Sequence, residues 1–125
     1  MEVAAVVALV LVVVLVGFQL ALALGVPWGA AAWGGAHAGV LPTGLRVASG
    51  VAGVVVYPAI GWLLAVAGGL VDPGWEAPVW ALWVLVGFFG LGAVVNAISR
   101  SRPERIWAPV SLLLAITSAV IALGM

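Results

Sequence analysis

Hydrophobic positions along the chain form long runs rather than an alternating or one-sided pattern. The runs predict membrane spans at residues 3-24, 47-70, 78-97 and 106-124. Each run has about the 20 residues that a helix needs to cross a hydrocarbon core of about 30 Å. The sequence therefore predicts an all-α membrane protein, a single four-transmembrane-helix bundle over residues 1-125.

Two features inside the runs predict how the helices pack. Tyr57-Pro58 interrupts the second run, and proline in a membrane helix is tolerated with a kink. Small residues recur at four-residue spacing, which permits close approach of helix backbones. They are Gly17-Ala21-Gly25, Ser49-Gly53 and Ser111-Ala115-Ala119. This spacing suits a compact bundle and a homo-oligomer equally.

The composition excludes a soluble globule. The chain is 66% hydrophobic and 6% charged, with a mean hydropathy of +1.38, whereas soluble domains carry roughly 25% charged residues. All basic residues are arginines in the loops 25-46 and 98-105, while Glu2, Asp72 and Glu76 flank the opposite side, which includes loop 71-77. Arginine-rich loops are typically cytoplasmic. We therefore predict an N-out/C-out, multi-pass membrane protein.

The first cytoplasmic loop, residues 25-46, is longer than the roughly two to eight residues that usually connect neighbouring helices. Trp28 and Trp33 suit the headgroup layer of a membrane. We expect the loop to lie along the interface, with one helical turn around residues 30-33. A passive connector anchored by its tryptophans is the alternative, and the sequence leaves open whether the loop is re-entrant.

Polar residues near the cytoplasmic ends of the spans form the candidate binding site. Polar groups in a span are costly, so each is a candidate for function. Ser99 and Arg100 follow Asn96 at helical spacing, which predicts one shared helix face. The predicted ligand or lipid-headgroup residues are Gln19, Trp28, Trp33, His37, Arg46, Asn96, Ser99, Arg100, Arg102 and Arg105.

Simpler roles compete with that site. Gln19 and Asn96 are also suited to hydrogen bonds between helices, and Glu104 to an ion pair with Arg46 or Arg100. The arginines attract anionic lipid headgroups, at about 1 kcal/mol each. The expected partners are the bilayer, anionic lipid, and a second copy of the chain or another membrane protein. Nucleic acid is not an expected partner.

Catalytic chemistry finds little support in the sequence. The chain has no cysteine and one histidine, which argues against a zinc site and a paired-histidine haem. No catalytic residue, metal ligand or cofactor is assigned. An enzyme usually positions a nucleophile and a base in a pocket, and no such set is apparent.

Two segments resemble a family of small bacterial four-span membrane proteins of unknown function. They are ALGVPWG with AWGG, at residues 23-29 and 32-35, and NAISRSRPER at residues 96-105. The resemblance covers most of the chain. It implies the four-span fold and a bacterial inner membrane, and it implies no activity or ligand.

Three functions remain open at this point. The first is a non-enzymatic accessory or scaffold module that packs with itself or another membrane protein and contacts anionic lipid. The second is a small transporter or channel with a polar cytoplasmic vestibule. The third is a binding protein or enzyme for a lipid-like substrate.

Overall fold

The computed structural model describes residues 1–125 and contains helices but no strand. Four helices are long and apolar enough to cross a membrane. We name them α1 (Glu2–Ala23), α2 (Thr43–Ala67), α3 (Val79–Ala97) and α4 (Trp107–Leu123); a 3-10 turn, Pro103–Ile106, leads into α4. The predicted all-α, four-span fold is confirmed.

Helix α2 begins and ends earlier than predicted. It starts at Thr43, directly after Pro42, because proline lacks an N–H group and its fixed φ suits the start of a helix. It ends at Ala67, before Gly68 and Gly69. Gly69 has a φ of +78°, a conformation that favours glycine and commonly terminates helices. The first turn of α2 therefore includes Arg46.

The helices lie side by side in the order α2, α1, α4, α3. Helix α1 packs against α2 and α4, and α3 packs mainly against α4. A small contact joins the second half of α2 to α4. Because α2 and α3 do not pack extensively on each other, a cleft remains between them.

We call the end of the bundle with the arginine-bearing loops the Arg end, and the other end the acidic end.

One face of α1 forms the centre of the bundle. From Ala5 to Leu15 its buried residues follow each other at intervals of three and four, as one face of a helix requires, whereas Val13 and Val14 between them are exposed. Gln19 falls within this stripe, between the buried Leu15 and Leu22. The buried residues of α1 are Ala5, Ala8, Val12, Leu15 and Leu22.

Glycines of α2 provide the close contact with α1. A side chain at Gly53 would place its Cβ 3.0 Å from the Leu20 side chain, and one at Gly61 would lie 3.3 Å from Val12. The predicted packing position Ser49-Gly53 is buried. An added Cβ at Gly17 would meet no atom within 4 Å, so Gly17 makes no close helix contact within the chain; the close approach on α1 uses alanines nearer its start.

The proline of α2 is preceded by a π-helical turn, Ala52–Val56. The Tyr57 N–H group donates to the carbonyl of Ala52, five residues earlier. Proline lacks the N–H group for a bond four residues back and its ring clashes with that carbonyl, and a π-helical turn is a known way to accommodate the conflict. The irregularity predicted at Tyr57-Pro58 therefore lies directly upstream of the proline.

The segment between α1 and α2 folds back over the Arg end, and we call residues 25-42 the cap. It contains two 3-10 turns, Gly29–Ala31 and Trp33–Gly35, where one turn around residues 30-33 was predicted. The Gly29 N–H group donates to the Gly39 carbonyl at 2.8 Å, and Ala31, Ala32 and Leu41 are buried. The cap is thus a packed part of the fold.

Candidate functional site, a cleft at the Arg end

The cleft between α2 and α3 has a volume of about 750 Å³ and lies in the half of the bundle nearer the Arg end. Helices α2 and α3 form its sides, α1 and α4 its back, and the cap covers its end. Its walls are mostly apolar. The lining residues used below are Gln19, Ala31, Trp33, Val51, Tyr57, Phe88, Leu91, Val95, Asn96, Glu104, Trp107 and Ser111.

The mouth of the cleft faces sideways. Val51 on α2 and Phe88 and Leu91 on α3 line the cleft, and each is at least half exposed. In a chain whose outer surface is covered with exposed valine, leucine and isoleucine, such a mouth opens toward lipid. The cleft is therefore accessible from the bilayer, while the cap covers its Arg end.

The two predicted amides both line the cleft, but neither joins two helices. The Gln19 Oε1 atom is buried and has no hydrogen-bond partner. Asn96 Nδ2 donates to the Gly92 carbonyl of its own helix at 2.8 Å. The alternative role of both amides, hydrogen bonding between helices, was wrong. A buried acceptor without a donor costs about 1–3 kcal/mol, and the burial of this oxygen also keeps it out of reach of the cleft.

Glu104 is the residue that sequence reasoning missed. It lines the cleft and is only 5% exposed. One carboxylate oxygen, Oε2, accepts the Gly34 N–H group of the cap at 2.7 Å. The predicted ion pair with Arg46 or Arg100 was wrong. The only hint in the sequence was that Glu104 is the single acidic residue among the arginines, which suggested a solvated pair; the 3-10 turn instead directs it inward.

Three further hydrogen bonds hold the cap over the cleft. Trp33 Nε1 donates to the Ser49 hydroxyl of α2 at 2.9 Å, and Trp107 Nε1 of α4 donates to the Ala31 carbonyl at 2.9 Å. The Ser101 hydroxyl donates to the Ala30 carbonyl. Trp33 also has a φ of +51°, the only non-glycine residue with a positive value, and such conformations cluster at functional sites.

The arginines lie outside the cleft. Arg46 Nε donates to the Ala23 carbonyl at 3.2 Å and so caps the end of α1, where a cation also suits the helix dipole. Arg105 Nε donates to the Ser99 carbonyl at 2.7 Å. Arg100, Arg102 and Arg105 are exposed. Arg46 and Arg105 thus support backbone carbonyls, and the three exposed arginines are available to lipid headgroups.

The remaining predicted residues are dispersed. Helix α3 ends at Ala97, so Ser99 and Arg100 do not continue the helical face of Asn96 as predicted. The Ser99 hydroxyl accepts the Ser101 N–H group at 3.2 Å, and His37 is exposed on the cap. Of the predicted site, the structure brings Gln19, Trp33 and Asn96 together in the cleft.

Trp28 belongs to a second, neighbouring groove of about 560 Å³. Phe18 and Trp107 line both cavities and form the wall between them. The ring centroids of Phe18 and Trp107 are 4.5 Å apart, and those of Phe18 and Trp28 are 6.3 Å apart with nearly parallel planes. The groove contains no polar side chain other than the tryptophan indoles, so it lacks the features that mark the cleft.

No group of histidine, cysteine, aspartate or glutamate side chains is arranged to hold a metal ion. In comparisons with known proteins, no family model, no curated protein and no solved structure matches the chain. The function must therefore be argued from the cleft itself.

Proposed function

We propose that this protein is a non-enzymatic, membrane-embedded binding module whose cleft holds one amphiphilic molecule taken from the bilayer. The apolar part of the ligand lies along α2 and α3, and its polar head lies at the Arg end under the cap. One observation carries the proposal: the cleft opens sideways along apolar walls, and Gln19, Asn96 and Glu104 are concentrated near its capped end.

The dimensions and chemistry of the cleft support this proposal. Its volume of about 750 Å³ falls within the roughly 300–1,000 Å³ of sites that hold one small ligand. Such sites are mainly apolar with a few polar groups that fix orientation. The polar groups of the cleft include no hydrogen-bonded nucleophile and base, the arrangement that covalent catalysis generally uses, which is why we propose binding rather than catalysis.

Native mass spectrometry of the protein, released from its own membrane in mild detergent, tests the proposal. We expect one amphiphile per chain, retained after bulk lipid has been removed. A spectrum with only the bulk lipid distribution contradicts the proposal. The same spectrum reports the number of subunits.

Two neighbouring valines of α3 provide a matched pair of variants for that experiment. Val95 lines the cleft, whereas Val94 does not, and both are about half exposed. Val95→Trp fills the cleft and is expected to abolish retention of the amphiphile. Val94→Trp adds the same side chain to the lipid-facing surface and is expected to retain it. Equal retention by the two variants contradicts binding in the cleft.

The accessory or scaffold role is a second proposal, favoured by the position of α3. This helix lies at the edge of the row, and Trp80, Leu91 and Val94 on it are exposed. Without a hydrophobic driving force in lipid, helices associate by close packing, so this edge suits a second copy or another membrane protein. A defined oligomer or a co-purifying subunit supports this role, and a stable monomer contradicts it.

The membrane orientation also belongs to this proposal. We place the Arg end in the cytoplasm of a cell with an inner (plasma) membrane, with both termini outside, because arginine-rich loops are retained on the cytoplasmic side. Arg100 and Arg102, both exposed, then contact anionic headgroups. The resemblance to small bacterial four-span proteins is consistent with this location.

A further inference from the structure

We infer that the ligand of the cleft is an amphiphile with a cationic, hydrogen-bond-donating head, that is, a primary ammonium group on an apolar chain. This inference rests on the proposed function and specifies its ligand. The residue that selects the head is Glu104.

The first argument is the balance of donors and acceptors at the capped end. The nitrogen donors of three polar lining residues are occupied within the protein: Trp33 Nε1 by Ser49, Asn96 Nδ2 by Gly92 and Trp107 Nε1 by Ala31. An acceptor remains at Glu104, which uses one carboxylate oxygen for its single hydrogen bond. Gln19 Oε1 has no partner either, but it is fully buried and does not reach the cleft. The carboxylate of Glu104 therefore favours a ligand group that donates.

The second argument is charge. Glu104 is only 5% exposed. Its one hydrogen-bond partner is a neutral backbone N–H group. A buried carboxylate is costly unless a cation or several hydrogen bonds compensate it. Arg46 and Arg105 direct their Nε atoms at backbone carbonyls of Ala23 and Ser99 instead. No arginine lines the cleft, so the compensating cation is expected from the ligand.

The third argument is the aromatic character of the cleft. Phe18, Trp33 and Trp107 line its capped end, where the head lies, whereas Tyr57, Phe88 and Phe89 line the part farther from the cap. Aromatic faces attract ammonium groups, with an effect that increases when the groups are desolvated. An anionic head, such as a carboxylate or a phosphate, would face Glu104 without any cation in the lining. The chemistry of the cleft therefore selects a cationic head over an anionic one.

The test compares ligand heads on one hexadecyl chain. Hexadecylamine, hexadecanol and hexadecyltrimethylammonium are titrated against the full chain in nonionic detergent, and binding is measured by native mass spectrometry. We expect the amine to bind about tenfold or more tightly than the alcohol. A hydrogen bond that involves a charged group contributes about ten times more to binding affinity than a hydrogen bond between neutral groups. The trimethylammonium compound, which has charge but no N–H donor, is expected between them.

Glu104→Gln is the decisive variant. It keeps an oxygen that accepts the Gly34 N–H group and removes the negative charge, so the cap contact is preserved. We expect it to abolish the preference for the amine over the alcohol. Glu76→Gln makes the same change at an exposed residue of the acidic end and is expected to leave the preference intact.

The outcomes separate this inference from the proposed function. Equal binding of amine and alcohol, or a preference that persists in Glu104→Gln, overturns the inference; if Val95→Trp still blocks the alcohol, the binding function stands. If no probe binds and no amphiphile co-purifies, both fail.

Two sources can supply the ammonium head, a phosphatidylethanolamine lipid or a free single-chain amine. Nanodiscs made with phosphatidylethanolamine or phosphatidylcholine distinguish them. Stoichiometric retention of phosphatidylethanolamine that depends on Glu104 supports the inference with a lipid as the source. Binding of hexadecylamine without such retention supports it with a free amine.

Discussion

Trp33 combines two properties that are uncommon in one large side chain. Its backbone has a φ of +51°, which non-glycine residues adopt rarely and at an energetic cost. Its indole N–H group donates to the hydroxyl of Ser49, which is fully buried. The hydrogen bond and the packing of the cap hold this conformation, and they connect the cap to α2 at the end of the cleft.

A double-mutant cycle on Trp33 and Ser49 measures that connection. Trp33→Phe removes the indole donor and Ser49→Ala removes its acceptor. We expect a coupling energy of about 0.5–1.5 kcal/mol in the free energy of unfolding, near the values for other side-chain hydrogen bonds and those within membranes. The coupling energy is obtained from thermal or denaturant unfolding in detergent. The wild type, both single variants and the double variant are compared. Strictly additive effects contradict the contact.

Helix α1 shows how a uniformly apolar helix still has a defined inner face. All its sides are hydrophobic, yet Ala5 and Ala8 are fully buried while Val10 is 58% exposed. Small residues permit close approach where helices meet, and larger ones are tolerated toward lipid. The position of a residue on α1, rather than its hydrophobicity, therefore determines the effect of a substitution.

Ala8→Leu and Val10→Leu test this directly, because both introduce leucine into α1 two positions apart. We expect Ala8→Leu to lower the free energy of unfolding by about 1–3 kcal/mol through overpacking against neighbouring helices. Val10→Leu is expected to change it by less than about 0.5 kcal/mol. Denaturant unfolding in mixed micelles gives both values. A harmless Ala8→Leu contradicts the central position of α1.

The π-helical turn of α2 accounts for a spacing that a regular helix does not allow. Ser49, Gly53 and Gly61 are all buried. On a regular α-helix, with about 100° per residue, Ser49 and Gly61 would point in directions about 120° apart. A π-helical turn has more residues per turn, so it reduces this angle between the two residues. The turn at Ala52–Val56 therefore keeps the packing residues of α2 directed at α1, in addition to accommodating Pro58.

This account predicts a small effect for Pro58→Ala. Proline inside a regular helix costs about 3 kcal/mol relative to alanine, but the π-helical turn already avoids the missing hydrogen bond. We expect Pro58→Ala to raise the free energy of unfolding by less than about 1 kcal/mol, well below that value. Gly53→Val, which crowds Leu20, is expected to lower it by about 1–3 kcal/mol. A large gain from Pro58→Ala contradicts this role of the turn.

The sequence predicted the spans but not the arrangement that creates the cleft. Hydrophobic length is a local property, so four membrane helices follow from it directly. The order α2, α1, α4, α3 depends on which helix faces pack against each other. Because α1, α3 and α4 are apolar on every side, the pattern of hydrophobic residues does not reveal their packing faces. Gln19 and Asn96 were recognised because polar groups are rare in spans. Glu104 was not, because its inward direction comes from a short turn and the cap.

At the scale of the whole molecule, both arginine-bearing loops meet at one end, and this links the cleft to a membrane side. The Gly34 to Glu104 hydrogen bond joins the cap to the segment before α4, and the Trp107 to Ala31 hydrogen bond joins it to the first residue of α4. The polar end of the cleft therefore lies on whichever side the arginines occupy. If the Arg end is cytoplasmic, the ligand head is drawn from the inner leaflet.

Single cysteines introduced by substitution determine the membrane side of the Arg end, because the chain contains no native cysteine. His37 on the cap and Glu76 at the acidic end are both exposed and accept no side-chain hydrogen bond that would be lost. With a membrane-impermeant maleimide on intact cells, we expect Glu76→Cys to be labelled and His37→Cys to be labelled only after permeabilisation. Neither change removes an arginine, and arginine distribution rather than acidic residues sets orientation. The reverse labelling pattern would place the Arg end outside and assign the head of the ligand to the outer leaflet.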